Sequence, residues 1–248
     1  MSLLQALGIL GAGAAAGAIN VVVGSGTLIT FPVLLAFGYA PVTANVSNTI
    51  GLVPGAAAGA IGYRTELRGQ RERLRRLAIA STLGAAVGAT LLLTLPPSAF
   101  KAIVPAFIAL ALVGIVIQPR LGAAIRARRA HTERLGALTL LAVFATGVYG
   151  GYFGAAQGIL LLAFLGLALD ERLQRLNALK NVLAGLTNLL SGAIFAIVAH
   201  IAWDAAALIA AGSVSGGILG ARYGRRLPAG PLRALILAVG VVAIVRLL

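Results

Sequence analysis

Cysteine is absent from the 248-residue chain, histidine occurs twice and acidic residues occur six times. The missing cysteines remove any thiolate nucleophile and any thiol record of a redox compartment. His131 lies in a basic stretch and His200 beside a helix end, too far apart and too unaccompanied for a metal site. No paired carboxylates, metal-ligand set or nucleophile–base set remains to do acid–base work, so an enzyme is not expected and no cofactor is called for. Charge of either sign is scarce. Charged residues make up 10% of the chain, against about a quarter in soluble domains. From Met1 to Tyr63 there is no Asp, Glu, Lys, Arg or His.

What is present is apolar: 60% of residues are hydrophobic and the mean hydropathy is +1.00. That composition describes an all-α polytopic membrane protein. The +14 net charge would suggest nucleic acid in a soluble chain. Here the Lys and Arg cluster in or beside short connections between apolar segments, where they act as topology signals, and no nucleic-acid partner is expected. The opening "MSLLQALGIL" has no basic n-region, which argues against a cleaved signal peptide.

A spanning helix needs about 20 apolar residues. Candidates fall near 3–23, 45–62, 75–95, 102–118, 135–150, 177–199, 203–221 and 232–248. Two shorter segments, 28–37 and 157–169, follow the first and fifth after Gly-containing breaks, "GSGT" at 24–27 and "GYFGAAQG" at 151–158. Plain alternation of eight spans divides the Lys and Arg 12 to 8 between the two faces. If 3–37 and 135–169 are instead helix–break–helix hairpins that leave on the side they entered, 18 gather on one face and only Lys101 and Arg246 remain on the other. The positive-inside rule selects the hairpins. Residues 1–118 and 135–248 then form two inverted-topology repeats, each a broken-helix hairpin plus three transmembrane helices, joined by a basic cytoplasmic linker at 119–134. Both termini fall on the periplasmic side. At an offset of 130 residues Gly17 meets Gly147 and Gly24 meets Gly154.

Inverted repeats with broken helices are a design of secondary transporters, whose substrate site lies where the breaks meet near the midplane. Gly24 and Gly26 permit the reversal, and Ser25 and Thr27 are expected to cap the second half-helix. Gln157 and Gly158 begin the matching half-helix. Two opposed helix amino termini offer N–H donors and partial positive charge, which suits an anion. Asn20, Asn45, Ser47 and Asn48, with Asn177 and Asn181, are polar residues before the first break or at the expected start of the following helix in each half. They complete the candidate substrate site. The plainer reading is that all of these satisfy kinks and cap helices, with Lys180 snorkelling toward the basic face.

The stretch "GAGAAAGAINVVVGSGTLITFPVLLAFGYAPVTANVSNT" resembles the first-repeat motif of the sulfite exporter TauE/SafE family, the TSUP permeases. "GYFGAAQGILLLAFLGL", "LNALKNVLAGLTNLLSGAIFAIV", Trp203 and "GSVSGGILGARYGRRLP" resemble its second half, so the resemblance spans nearly the whole chain. It implies bacterial inner-membrane transport of sulfur oxyanions, sulfonates or related organic anions.

Other motifs carry less. "GAGAAA" at 11–16 spells G-x-G-x-x-A without a preceding strand or a following acidic residue, so it is not a dinucleotide fingerprint. Gly-x-x-x-Gly spacing recurs at Gly13/Gly17, Gly55/Gly59, Gly84/Gly88 and from Gly212 to Gly224, giving close helix contact within a subunit or in a homodimer. The alternative to a transporter is a non-transporting membrane scaffold built on those faces. Direction has a physical argument: every acidic residue lies in a connection or at a helix end, so no midplane carboxylate relays protons. An inside-negative potential drives an anion outward by about 2.3 kcal/mol per charge per 100 mV.

Overall fold

The computed structural model describes residues 1–127, 136–223, 234, 236–241 and 244. Helix α1 covers Leu3–Val22, α2 Thr27–Ala36, α3 Pro41–Gly62, α4 Arg71–Thr94, α5 Pro97–Ala127, α6 Ala137–Tyr152, α7 Gln157–Ala168, α8 Leu173–Val198 and α9 Trp203–Tyr223. A 3-10 turn, Arg64–Leu67, joins α3 to α4. No strand occurs among the described residues. The expected last segment, 232–248, is described only at the positions given above. Arg128, Arg129, His131, Glu133, Arg134, Arg225, Arg226, Arg233 and Arg246 lie outside the described residues.

Local chemistry sets several helix ends that hydropathy misplaces. Ser2 and Gln5 form a capping box that starts α1: the Ser2 Oγ accepts from the Gln5 amide at 3.2 Å, and the Gln5 Oε1 accepts from the Ser2 amide at 2.9 Å. Pro41 at the first turn of α3 starts that helix ahead of the expected residue 45. Helix α8 likewise begins at Leu173 rather than 177. Asn45 and Asn177 therefore sit inside their helices as buried residues, not at the water interface as terminal caps. Helix α5 runs on to Ala127, so the expected linker at 119–134 begins as a continuation of that helix.

Among the described residues five helices, α1, α4, α5, α8 and α9, are long and apolar enough to cross a membrane. Helix α3 has the length, 22 residues, but carries a polar stripe. Its Asn45, Ser47, Asn48 and Thr49 are all buried, so lipid never meets them. Helices α2 and α7, of 10 and 12 residues, rise only about 15 and 18 Å and reach half way.

The halves pack by exchange. Helix α1 lies on α9 and α4 on α6, and α3 lies on α9 while α8 lies on α4. Glycines allow the first two approaches. A Cβ at Gly13 would stand 2.8 Å from the Ile209 carbonyl oxygen, and one at Gly84 would strike the Phe144 carbonyl. Gly17, Gly88, Gly212, Gly216 and Gly220 meet backbone in the same way. Among the described residues the Gly-x-x-x-Gly glycines are thus packed within the subunit. Rings of Phe31, Phe100 and Phe153 pack edge to face around the second break, with the Phe31 and Phe153 centroids 5.1 Å apart.

One end of the bundle is held by charge. The Arg73 Nη1 donates to the Glu171 Oε1 at 2.9 Å and the Arg175 Nε to the Glu171 Oε2 at 2.6 Å, while the Arg175 Nη1 donates to the Arg68 carbonyl at 3.2 Å. The connections 63–76 and 169–175 therefore lie on one face, where plain alternation would put them on opposite faces. Burial alone would raise the Glu171 carboxyl, but hydrogen bonds from Arg175 and Arg73 outweigh it and hold it below the ordinary carboxylate range.

Candidate functional site

Helices α1 and α6 end in the same way, 130 residues apart. The amides of Val23 and Gly24 donate to the Ile19 carbonyl, at 2.7 and 3.1 Å. Those of Phe153 and Gly154 donate to the Tyr149 carbonyl, at 2.9 and 3.1 Å. Gly24 at φ 89° and Gly154 at φ 74° take the left-handed turn that closes each helix. Ala156, at φ 59°, holds an unusual conformation for a residue with a Cβ. The Tyr149 hydroxyl braces it by donating to the Ala155 carbonyl.

The two breaks meet. The Gly158 amide donates to the Gly24 carbonyl at 3.1 Å. A Cβ added at Gly158 would stand 2.5 Å from the Gly24 Cα, so the contact leaves no room even for a methyl group. Where the breaks meet, Gly24 and Gly158 are thus in closed backbone contact in this structure. A groove of about 380 Å³ does exist, but Leu91, Leu95, Ile103, Phe107 and Tyr152 are among its walls, and the residues of 24–27 are not.

Side chains cross between the halves to satisfy the carbonyl ends of α1 and α6. The Asn45 Nδ2 donates to the Tyr152 carbonyl at 2.9 Å, and the Asn177 Nδ2 to the Val21 carbonyl at 3.1 Å. Ser213 Oγ donates to the Gly51 carbonyl at 2.9 Å, and Ser81 Oγ to the Leu183 carbonyl at 3.5 Å. Each of these pairs is repeated in the other half at an offset of about 130 residues.

Lys180 breaks the likeness. It is 0% exposed, and its Nζ donates to the carbonyls of Asn20 at 2.9 Å and Val21 at 3.0 Å. The expected snorkelling is overturned: the side chain runs inward along α7, its Cδ 3.0 Å from where a Gly158 Cβ would stand, and caps the end of α1. A cation is favoured there because a helix C-terminus carries partial negative charge. No carboxylate touches the Lys180 ammonium among the described residues.

The amino ends of α2 and α7 differ from their expected form. Gly26 and Ala156 are the cap residues, and neither helix has a side-chain cap or an acidic residue in its first turn. Ser25 and Thr27 do not cap α2. Thr27 Oγ1 accepts instead from the Asn48 Nδ2 at 3.2 Å, and Thr30 Oγ1 donates to the Asn48 Oδ1. Gln157 is likewise tied inward, its Nε2 donating to Thr187 Oγ1 at 3.0 Å, and that hydroxyl pairs with Ser81 Oγ at 3.0 Å. Ser47 stands apart from the group, accepting from the Ala202 amide at 3.0 Å ahead of α9. Asn20 is half-buried, and its Cβ lies beside Gly26.

Four polar atoms of the expected site residues are buried with no hydrogen-bond partner among the described residues: Ser25 Oγ, Asn45 Oδ1, Asn177 Oδ1 and Asn181 Nδ2. Such atoms are uncommon in folded proteins. The structure adds Thr30, Ser81, Lys180 and Thr187 to the buried polar groups around the breaks. The signal for Thr30 was its hydroxyl in the short apolar segment that follows the first break. For Lys180 it was a cation among the asparagines Asn177 and Asn181 at the start of an expected membrane segment.

The sequence pattern of the family described as Sulfite exporter TauE/SafE matches residues 9–247. A "Probable membrane transporter protein" of Haemophilus influenzae is 30% identical over 213 residues, covering 85% of this chain and 81% of that protein. The "Probable membrane transporter protein ORF9" of a Sinorhizobium species is 26% identical, covering 94% of this chain and 88% of its own. The "Probable membrane transporter protein YfcA" of Escherichia coli K12 is 28% identical, covering 86% and 76%. No solved structure matches the chain.

Proposed function

The chain belongs to the Sulfite exporter TauE/SafE family and is a multi-pass membrane transporter, and on that premise we propose that it exports small organic or inorganic anions, foremost sulfur oxyanions or sulfonates. The membrane is the bacterial inner membrane, with both termini periplasmic and the connections 63–76 and 169–175 cytoplasmic. The halves 1–118 and 135–248 act as two inverted repeats, and the solute passes where their breaks meet. The observation that carries this reading is the asymmetry of the helix ends at the crossing. The carbonyl ends of α1 and α6 are covered by Asn177, Lys180 and Asn45, whereas the amino ends of α2 and α7 have no side-chain cap. What remains at the centre is donor character and positive potential, which selects an anion.

Export follows from the charge inventory. Glu66, Glu72, Asp170, Glu171 and Asp204 sit in connections or at helix ends, so no carboxylate enters the bundle among the described residues. The membrane potential alone then drives an anion out. Transport needs the Gly24–Gly158 contact to part, so the closed arrangement is one state of a cycle. The described glycines of the Gly-x-x-x-Gly faces of α1, α4 and α9 pack against backbone of the same subunit, so a homodimer through those faces would compete with contacts already made. The same packing gives the scaffold alternative no free glycine face among the described residues. A thermal-shift screen of the purified protein with sulfite, thiosulfate, sulfoacetate, taurine and carboxylates tests the proposal. At least one sulfur anion is expected to raise the melting temperature, and a flat response to all of them contradicts it.

A further inference from the structure

Lys180 is a charged element of the crossing with no counterpart in the other half. At an offset of 132, the one that matches Asn45 to Asn177 and Ser81 to Ser213, its position corresponds to Asn48, which bonds only within its own half, to Thr27 and Thr30. Lys180 instead reaches across to the far half and touches both breaks: its stem lies against Gly158 at the start of α7, and its ammonium caps the last carbonyls of α1.

An ammonium has three donors, and the Asn20 and Val21 carbonyls take two of them. One N–H is left over in a fully buried side chain with no carboxylate touching it among the described residues. A buried charge without an opposite charge is costly, and carbonyl dipoles compensate it only in part. Unpartnered polar atoms occur in the residues around it. Asn181 Nδ2 follows it on α8, Ser25 Oγ follows Gly24 in the break that Gly158 touches, and both residues are at least nine-tenths buried. Lys180 is thus a buried positive charge that touches both breaks, unpartnered polar atoms stand on residues next to it in the chain or in the first break, and among the described residues no second buried cation accompanies it.

Resting on the anion-transport reading above, we propose that Lys180 sets the charge selectivity of the site, which takes one singly charged oxyanion group. The anion completes the third donor of the ammonium and accepts from Asn181 and Ser25. A neutral solute of the same shape leaves the charge unpaired. A compact dianion brings one negative charge more than the site can match.

The test compares three probes on the purified full-length protein by calorimetry: methanesulfonate with one charge, its neutral analogue dimethyl sulfone, and sulfate with two. The wild-type protein is expected to bind methanesulfonate at least tenfold more tightly than either of the others. Lys180→Gln keeps a donor for the α1 carbonyls and removes the charge. It is expected to weaken methanesulfonate binding about 10- to 150-fold, the loss of a hydrogen bond to a charged group, and to leave dimethyl sulfone unchanged. Wild-type affinity that ignores charge overturns the inference without any variant. So does unaltered methanesulfonate binding in a folded Lys180→Gln protein of lower melting temperature, because the lysine is then only a tether between α8 and α1. If the wild-type protein binds none of these probes and also none of the sulfur anions of the earlier screen, the anion reading falls together with the inference. If an anion of that screen binds but shows no dependence on Lys180, only the inference falls.

Discussion

Gly24 concentrates the requirements of the fold in one residue. Its φ of 89° disfavours any side chain, and its Cα lies against Gly158. Gly24→Val is expected to force the two breaks apart and abolish transport while leaving membrane insertion intact, since insertion follows summed apolarity. Proteoliposome flux and membrane-fraction yield read the two effects separately. Gly26 is needed for a different reason. Its backbone is helical, but a Cβ there would stand 2.6 Å from the Ala16 carbonyl oxygen. Thr27→Val removes the acceptor of the Asn48 Nδ2, so a stability loss of about 1 to 3 kcal/mol is expected in thermal or denaturant melting. The sequence displayed Ser25, Thr27 and Asn48 as polar residues in an apolar setting, and all three are buried at the first break. It did not show that Asn48, on another helix, would draw Thr27 away from capping, because the partner of a hydrogen bond is fixed by packing. Ser47 was misplaced for the same reason. One residue from Asn48, it points to the amide of Ala202 instead.

Among the elements, the short helices α2 and α7 and the breaks before them were legible, since ten apolar residues bounded by Gly cannot cross a bilayer alone. Helix α7 begins at Gln157 as expected, and α2 begins at Thr27, one residue early. The ends of α3, α5 and α8 were not legible from hydropathy. Polar residues buried between helices read as interface, and a basic helix end reads as a loop. The clasp of Arg73 and Arg175 on Glu171 joins the start of α4 to the connection before α8. Because the Glu171 carboxyl is held below its ordinary range in the folded protein, its stabilisation is fully present above that range and is lost as pH falls through the folded value. Glu171→Gln is expected to lower stability by about 1 kcal/mol near neutral pH, a magnitude typical of partly exposed ion pairs. The difference from wild type should vanish in acid. A difference that grows on acidification, in melts recorded across the pH range, contradicts this account of the clasp.

For the whole molecule, charge parity is the signal least sensitive to helix ends, because it depends on which connections share a face and not on where any helix ends. The clasp brings 63–76 and 169–175 together, as the hairpin count requires, and removing buried Lys180 from that count leaves the imbalance intact. The absence of cysteine makes the topology directly testable. Single cysteines at Thr65 and Arg172 are expected to be labelled from the cytoplasm and one at Ser2 from the periplasm. Labelling of Thr65 and Arg172 from opposite sides contradicts the two-hairpin arrangement. The closed contact at the centre could not be read from sequence, since proximity of Gly24 and Gly158 is a property of the packed halves. The central claim is that an anion passes where those breaks meet. Its most direct test is sulfite release from loaded proteoliposomes under an imposed inside-negative potential, with wild-type protein beside Gly24→Val. Release by the wild type that rises with the potential and is lost in the variant is the expected result. Equal release by both proteins, or none by the wild type with sulfite or any sulfonate, contradicts the claim.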